Sequence, residues 1–554
     1  MLAALVGHLL AQAATAGSPG NMNWKGSKNY VVILDAGSTG TRSHAFHYPA
    51  REMSGQLPFN AEGPVTLPQP FATFSATPGL SAFVNATDGL KSYLGGLMNS
   101  TVNAVKFMNP SVKAKHVPVF LGATAGLRTL TEPDRAKVMK AVRKVLFSEV
   151  CPFRFAYKEQ ARVLSGSEEG AFDWLAVNYA KASITADANA TYGAIDIGGG
   201  SVQISFIPMH TSILDGLFPM HLAHIGAAIN LYVHSFLQFG KVDAFQRASS
   251  LLYQRAVGSS VSKHGIAGTG ADMTGAARAV VDHPCLPSGL VWHVKPGEYG
   301  VSTTVQLPER LNGSIEFRGA GDFKGCRDLA RQLMVEAPCF LPPCSIMGVY
   351  QPELKHNRFV LFGAYALWGA WELPLLHQQG MPWLVALRRQ LQRACAMPLS
   401  TQESLWGGQG LTNGEGEPPC WLGSWFLTLL IDGFGFQEDT NNVVVFEDCC
   451  DHAVGHALYE INFFPYKIVS DEARGSQANR RRRSVFPTGH ESGAVQGAKQ
   501  VAPSYPCSAT LTGPVAAAFL VGGVSSALLL RLVGRLSSRR LGSGPGKPLL
   551  AADA

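Results

Sequence analysis

The sequence predicts an α/β fold built from two related lobes. Between Tyr30 and Lys467, apolar strand-like runs alternate with helical stretches, which is the pattern of an α/β protein. Two segments also repeat one design, in which an apolar β-type run ends in Asp and is followed by a glycine-rich turn and a second β-type run. Because the two copies lie in different parts of the chain, we expect an internal duplication in which each lobe opens with its own turn.

The first copy begins with Val31-Val32-Ile33-Leu34-Asp35, and the second begins with Gly193-Ala194-Ile195-Asp196. One such hairpin alone is an ordinary β-turn. Two copies that face each other across a cleft would grip a polyphosphate from both sides, because backbone N–H groups in such turns bind phosphate oxygens. Asp35 and Asp196, at the strand ends, are candidate ligands for hydrated Mg²⁺ or Ca²⁺. The candidate phosphate-binding residues are Gly37, Ser38, Thr39, Gly40 and Thr41 in the first turn, and Gly198, Gly199, Gly200 and Ser201 in the second.

The remaining elements continue the alternation. Each hairpin has a second β-type run, Ser43–Tyr48 in the first copy and Val202–Ile207 in the second. Strands are predicted at Tyr30–Leu34, Val117–Leu121, Tyr192–Ile197 and Val443–Phe446. Helices are predicted at Pro133–Glu149, Glu168–Tyr179, Ala227–Phe239 and Gly325–Glu336.

The net charge of +7 is concentrated at the end of the chain. From Asp471 onward there are eleven Lys and Arg against four Asp and Glu, so residues 1–470 are neutral overall. A nucleic-acid-binding surface needs a basic stripe on the fold itself. The neutral body therefore argues against nucleic acid as a partner.

Both ends of the chain indicate a membrane protein. Residues 1–17 combine a short apolar stretch with small residues, which fits a secretory signal peptide, although no Lys or Arg precedes the apolar part and a frayed or truncated N-terminus is the alternative. About twenty uncharged, mostly apolar residues run from Leu511 to Leu530, enough to span a bilayer, and an arginine cluster follows them. A buried core helix is the alternative there. We predict a flexible stalk at 471–512, a transmembrane helix at 513–534 and a cytoplasmic tail at 535–554.

This single-pass type I topology would place the body of the protein outside the cell or in the Golgi or endomembrane lumen. The N-x-S/T triplets at Asn85, Asn99, Asn189 and Asn312 can be glycosylated in that compartment. Ten cysteines are compatible with disulfide bonds in an oxidising lumen. No Cys-x-x-Cys pair indicates a zinc site.

Two further blocks stand between the hairpins, Leu121-Gly122-Ala123-Thr124-Ala125-Gly126-Leu127-Arg128 and Ser165 to Trp174 (SGSEEGAFDW). In this order the four blocks closely resemble the apyrase family, the ecto-nucleoside triphosphate diphosphohydrolases. Tyr232–Gly240, Met347–Pro352 and Asp432–Phe436 extend the resemblance, which covers roughly Tyr30 to Lys467.

The resemblance implies an actin-like (RNase H-like) duplicated fold with the active-site cleft between its lobes. Lobe I would comprise 28–164 and 442–468, and lobe II would comprise 165–441. Nucleoside di- and triphosphates would be the substrates, and Mg²⁺ or Ca²⁺ would be held by Asp35 and Asp196 through the water shell of the ion.

The resemblance also implies roles for single residues. Glu169 would be the general base for the attacking water, which Ser201 and Gln203 would position. Thr124 would lie near the terminal phosphate, and Tyr365 or Trp368 would stack on the base. Disulfide bonds are implied for Cys285 with Cys326, Cys339 with Cys344, and Cys395 with Cys420. The chain departs from the family at His452, where a tryptophan is usual beside the metal waters, and this departure leaves the metal preference open.

Each residue also has a structural interpretation. Glu168 and Glu169 at a helix start favour the helix dipole, Thr124 and Ser201 could satisfy backbone groups, and His234 on an apolar helical stretch fits a packed structural histidine. Two other functions compete with hydrolysis: an actin-like kinase or polyphosphatase, and a surface receptor that binds nucleotides but has lost catalysis. The sequence leaves the preferred nucleotide and the membrane undecided.

Overall fold

The computed structural model describes residues 28–49, 67–209, 211–220, 228–262, 269–271, 277–294, 315–334, 337–362, 381–406, 417–445 and 452–462. Every described residue belongs to the first of the two units into which the chain divides, Met1–Arg480. Within these ranges, no helix is both long and apolar enough to span a bilayer. The predicted signal peptide, stalk, transmembrane helix and cytoplasmic tail lie outside the described residues.

The elements alternate between strands and helices along the chain. The strands are β1 (Lys28–Ala36), β2 (Thr41–Pro49), β3 (Gln69–Ala76), β4 (Val119–Ala123), β5 (Ala161–Val163), β6 (Tyr192–Ile197), β7 (Ser201–Phe206), β8 (Leu217–Met220), β9 (Ile229–Leu237), β10 (Thr269–Ala271), β11 (Ala277–His283), β12 (Val291–Val294), β13 (Ile315–Gly319), β14 (Arg358–Phe362) and β15 (Val443–Val445). The helices are α1 (Leu90–Met108), α2 (Ala125–Arg128), α3 (Glu132–Leu146), α4 (Gly166–Ala180), α5 (Lys241–Ser262), α6 (Phe323–Gln332), α7 (Trp383–Ala396), α8 (Leu399–Trp406), α9 (Pro419–Thr428) and α10 (452–462).

Two mixed sheets repeat one topology. The first has the strand order β3-β2-β1-β4-β5, and the second contains the order β9-β7-β6-β14-β15 with β8 added at the β9 edge. In both sheets two antiparallel strands form a hairpin, and a third strand pairs antiparallel with the second strand of that hairpin. On the other side, two further strands run parallel to the first strand of the hairpin. The predicted α/β class and its internal duplication are therefore confirmed. The predicted lobe boundaries at 164/165 and 441/442 stay predictions.

The first sheet separates two apolar layers because successive side chains of a strand point to opposite faces. Val32 and Leu34 of β1 pack in the layer that contains α1 and α3. Val31 and Ile33 pack on the other face, with α4 and α10. Both sheets contribute to this second layer, which also contains Val233 of the second sheet. Helices α4 and α10 therefore share one core with both duplicated sheets, next to the ends of β1 and β6.

A smaller four-stranded sheet, with the order β10-β11-β13-β12, lies in the later part of the chain. Cys285, just after β11, is bonded to Cys326 of α6, and Cys395 of α7 is bonded to Cys420 of α9. A third disulfide joins Cys339 and Cys344. The three implied pairings are confirmed. Cys151 is free and buried, whereas Cys449, Cys450 and Cys507 lie outside the described ranges.

One predicted helix is wrong. The segment predicted as helix Ala227–Phe239 contains strand β9, which pairs with β7 on one side and β8 on the other. A strand paired on both sides and largely buried has an almost continuous apolar run, and periodicity alone does not separate such a run from a buried helix. His234 therefore lies on a strand, where it is half-buried and packs on Phe236 with ring centroids 4.5 Å apart.

Candidate active site

The two glycine-rich turns lie against each other. A Cβ placed on Gly199 would stand 2.5 Å from Oγ of Ser38, and one on Gly200 would stand 3.0 Å from Cβ of Ala125. A Cβ placed on Gly126 would lie 2.8 Å from Cα of Ser38. The first turn, the second turn and the segment after β4 therefore converge at one point. Thr124, which is buried, belongs to this third segment and donates its N–H to the carbonyl of Ala36 at the end of β1.

The second turn is fixed from behind by the start of α5. The carbonyls of Gly198 and Gly199 accept hydrogen bonds from the N–H groups of Lys241, Val242 and Asp243 at 2.9–3.2 Å. In a trans peptide the N–H points opposite to the preceding carbonyl. The N–H groups that follow these carbonyls are therefore directed away from α5, as a phosphate-binding turn requires.

In the first turn, the predicted phosphate donors are not all available. Asp35 lies opposite Arg42 of β2 and Gly122 of β4. The N–H of Thr41 donates to the hydroxyl of Tyr93 at 3.2 Å, so this predicted phosphate donor is already bonded within the protein. Within the first turn, Gly37 to Gly40 are therefore better placed to supply phosphate donors than Thr41.

Glu168 and Glu169 have separate roles although they are adjacent. Ser165 and Glu168 form a reciprocal capping box at the start of α4, with hydrogen bonds of 3.0 and 3.1 Å, and Glu168 also pairs with Arg162 at 2.5 Å. Glu169 points into the protein and is only 4% exposed. The structural interpretation of an acidic helix start therefore applies to Glu168.

Glu169 lies within a polar cluster at the meeting point of the turns. Its Oε2 accepts hydrogen bonds from Arg128 Nη2 at 2.5 Å and from Gln203 Nε2 at 3.0 Å. Gln203 Nε2 also lies 2.8 Å from Oγ of Ser201 and 2.9 Å from Oγ of Ser235. Gln203 Oε1 is buried and has no hydrogen-bond partner among the described residues. The structure thus brings Glu169, Ser201 and Gln203 together beside the second turn.

Carboxylates in this cluster perturb one another. Burial raises the pKa of Glu169, and Asp35 adds to that effect, while Arg128 and His452 act against it. Burial, followed by Glu169 and Asp35, raises the pKa of Asp196 to about 7. Each of these carboxylates therefore disfavours the charge of its neighbours.

His452, the departure from the family pattern, lies beside Asp35. Its Nε2 is 3.1 Å from Asp35 Oδ1, and both side chains are almost completely buried. Burial opposes protonation of the imidazole, but Asp35, Glu169 and Asp173 outweigh burial and hold the pKa of His452 well above its usual value. His452 in turn acts against the rise in the pKa of Glu169 and of Asp196.

Sequence reasoning missed Arg128, Ser235 and the contact of His452 with Asp35. Arg128 and Ser235 stand in the sequence blocks that carry the family resemblance, but their bonds to Glu169 and Gln203 span 41 and 32 residues. The signal available in the sequence was that both residues stand in these blocks, and this signal does not show which residue each of them contacts. Tyr365 and Trp368, the predicted base-binding residues, lie outside the described residues.

Asp243 gives a pH-dependent prediction beside the second turn. Burial raises the pKa of this carboxyl from 3.8 to about 6, against the opposing effect of Arg247. The folded state then keeps a proton that the unfolded chain releases, so the free energy of unfolding should fall as pH rises from about 4 to about 6. Asp243→Asn removes this loss. We expect its melting temperature, relative to that of the wild type, to be higher at pH 7 than at pH 4.5, and a constant difference would contradict the assignment.

A model of the GDA1/CD39 (nucleoside phosphatase) family matches residues 21–469 of the chain. The chain belongs to the GDA1/CD39 (nucleoside phosphatase) family. The chain is 28% identical over 462 residues to ectonucleoside triphosphate diphosphohydrolase 1 of Bos taurus, a match that covers 80% of this chain and 82% of that protein. It is 31% identical over 344 residues to probable apyrase 4 of Arabidopsis thaliana, covering 60% of each protein.

A solved structure has the same fold. The crystal structure of nucleoside triphosphate hydrolases from Neospora caninum aligns with a TM-score of 0.54 and 16% identity, covering 84% of this chain and 96% of that one. The predicted family is confirmed, and so is the predicted enzyme class at the level of a nucleoside phosphate hydrolase.

Proposed function

We propose that the chain is a membrane-anchored enzyme that uses a divalent metal ion to hydrolyse the terminal phosphate of nucleoside tri- and diphosphates. One observation carries the proposal. The buried carboxyl of Glu169 lies within hydrogen-bonding distance of Gln203, beside Ser201, at the point where the two phosphate turns meet. This arrangement supports a mechanism in which a base and two polar groups act on a water molecule that faces a bound phosphate.

Glu169 takes the proton from the attacking water. Ser201 and Gln203 orient that water, and the unpartnered Oε1 of Gln203 is an acceptor for one of its hydrogens. Backbone N–H groups of the two turns hold the phosphate oxygens. Phosphoryl transfer needs an oriented nucleophile and charge neutralisation rather than a covalent intermediate, and a positioned base contributes about 10²–10⁴-fold. Burial raises the pKa of Glu169, which makes its carboxylate a stronger base.

The acidic residues suit a hard divalent cation. Asp35 and Asp196 occupy equivalent positions at the ends of β1 and β6, and both offer carboxylate oxygens, which Mg²⁺ and Ca²⁺ prefer. Among the described residues, no three His, Cys, Asp or Glu side chains form a metal-binding group of their own. Asp35 and Asp196 would supply two carboxylates to the ion, and water and phosphate oxygens would supply most of its ligands. The ion would neutralise phosphate charge during transfer.

An extracellular or lumenal location is part of the proposal. Three disulfide bonds suit an oxidising compartment. Asn85, Asn99 and Asn189 are exposed and stand in glycosylation triplets. The anchor would be the predicted helix at 513–534, and the neutral body leaves nucleic acid out of the proposed partners.

The test is phosphate release by the full-length chain, purified in detergent, from ATP, ADP, GDP and UDP. Reactions contain Mg²⁺ or Ca²⁺ and no added phosphate acceptor, and matched reactions contain EDTA. We expect metal-dependent release that EDTA abolishes. Nucleotide binding without release would indicate the receptor that has lost catalysis, and transfer only to an added acceptor would indicate the kinase.

A further inference from the structure

Arg128 connects two residues of the site that are far apart in sequence. It is the last residue of α2, the four-residue helix that follows Thr124. Its Nη2 donates to Glu169 Oε2 at 2.5 Å and to Ser201 Oγ at 3.0 Å. Both side chains of the ion pair are shielded, with exposures of 13% for Arg128 and 6% for Glu169. One guanidinium thus contacts a residue of α4 and a residue of β7 at the same time.

A glycine at the start of α4 makes room for the Arg128 side chain. Gly166 is the first residue of α4, and a Cβ at this position would stand 2.8 Å from Arg128 Nη1 and 2.4 Å from Ser235 Oγ. The guanidinium therefore passes close to the helix backbone, and the lack of a side chain at Gly166 permits this passage. A planar group held at such short range has little freedom to turn.

We propose that Arg128 is a positioning residue that holds the Glu169 carboxylate and the Ser201 hydroxyl in the relative orientation needed for attack by water. The inference rests on the proposed role of Glu169 as the base. A carboxylate has several orientations of similar energy, and two donors on the same oxygen, Arg128 Nη2 and Gln203 Nε2, select one of them. The remaining oxygen, Oε1, is then the atom that can receive the proton of the water.

The charge of Arg128 adds to its geometric effect. Glu169 is buried near Asp35, and both burial and Asp35 oppose ionisation of the carboxyl. An ion pair with Arg128 favours the ionised form, which is the form that can accept a proton. Arg128 therefore acts through Glu169, and its loss should reduce the rate of the chemical step more than it reduces binding of the nucleotide.

The test compares Arg128→Gln and Arg128→Lys in the full-length chain. We expect Arg128→Gln to lower kcat for ATP by about 10²-fold, because misplacement of a reacting group by about 1 Å has an effect of this size. The Kd for the non-hydrolysable analogue in which NH bridges the β- and γ-phosphates of ATP should stay close to the wild-type value. Arg128→Lys keeps the charge but not the planar fork, so we expect an intermediate kcat. Millimolar guanidinium should restore part of the activity of Arg128→Ala.

Arg162→Gln is the matched control. It removes an arginine that pairs with Glu168, the residue next to the base, and we expect wild-type kcat. If Arg128→Gln does not fold, Arg128→Lys serves as the test variant. Its kcat should lie below that of the wild type, and its Kd for the ATP analogue should be unchanged. A kcat of wild-type size in Arg128→Gln, or a Kd raised in proportion to the loss of kcat/KM, overturns the positioning role. With either of these results, phosphate release by the wild type would still support the proposed function. A wild-type chain that releases no phosphate would overturn both the positioning role and the proposed function.

Discussion

Glu169→Gln is expected to lower kcat for nucleotide hydrolysis by about 10²–10⁴-fold, with little change in folding or in nucleotide affinity. The amide has nearly the same shape as the carboxyl, so its oxygen can take the buried place of Oε2 and accept the hydrogen bonds that Arg128 and Gln203 donate. It has no basic oxygen that can take the proton of water. Phosphate release gives kcat, and titration with the imido analogue of ATP gives the affinity.

Glu168→Gln is the neighbouring control for this experiment. Glu168 caps α4 and pairs with Arg162 near the surface, so this change should leave kcat unchanged. Loss of part of the cap should lower the free energy of unfolding by about 0.5–2 kcal/mol at most. Near-normal phosphate release by Glu169→Gln would show that another group is the base.

Gly455→Ala is expected to destabilise the protein and to disturb the site at the same time. Gly455 lies in α10, where an added Cβ would stand 1.9 Å from the carbonyl oxygen of Phe172 in α4. Neither backbone can yield locally, so the two helices must separate. We expect the free energy of unfolding, measured with urea, to fall by about 1–3 kcal/mol. The helix that moves carries His452, so the contact of this residue with Asp35 should also weaken.

Gly96→Ala provides a control for the intrinsic effect of the substitution. Gly96 is an exposed residue within α1, and a Cβ there would meet nothing within 4 Å. Alanine has a higher helix propensity than glycine by about 1 kcal/mol, so this variant should be slightly more stable than the wild type. Equal stability of the Gly455 and Gly96 variants would contradict the close packing of α10 on α4.

Much of the fold could be predicted because its signals are local. The apolar runs that end in Asp35 and Asp196, with glycines directly after them, specify β1 and β6 and their turns within about ten residues of chain. The helix predicted at Glu168–Tyr179 was also found, although α4 begins two residues earlier, at Gly166, because Ser165 and Glu168 form a capping box there. The prediction was wrong at strand β9 because a run that is buried on both faces lacks the alternation of apolar and polar residues that distinguishes a strand from a helix.

The sequence by itself determined the class of fold, the duplicated turns, the acids at their strand ends and the family whose blocks the chain shares. Tertiary structure decided which of two adjacent acids is buried, which arginine holds it, and that His452 lies 3.1 Å from Asp35. The physical reason is the range of the interactions. A turn or a helix cap is fixed by neighbours in the chain, whereas the partners of a buried charge are set by how α2, α4, β7 and α10 pack together.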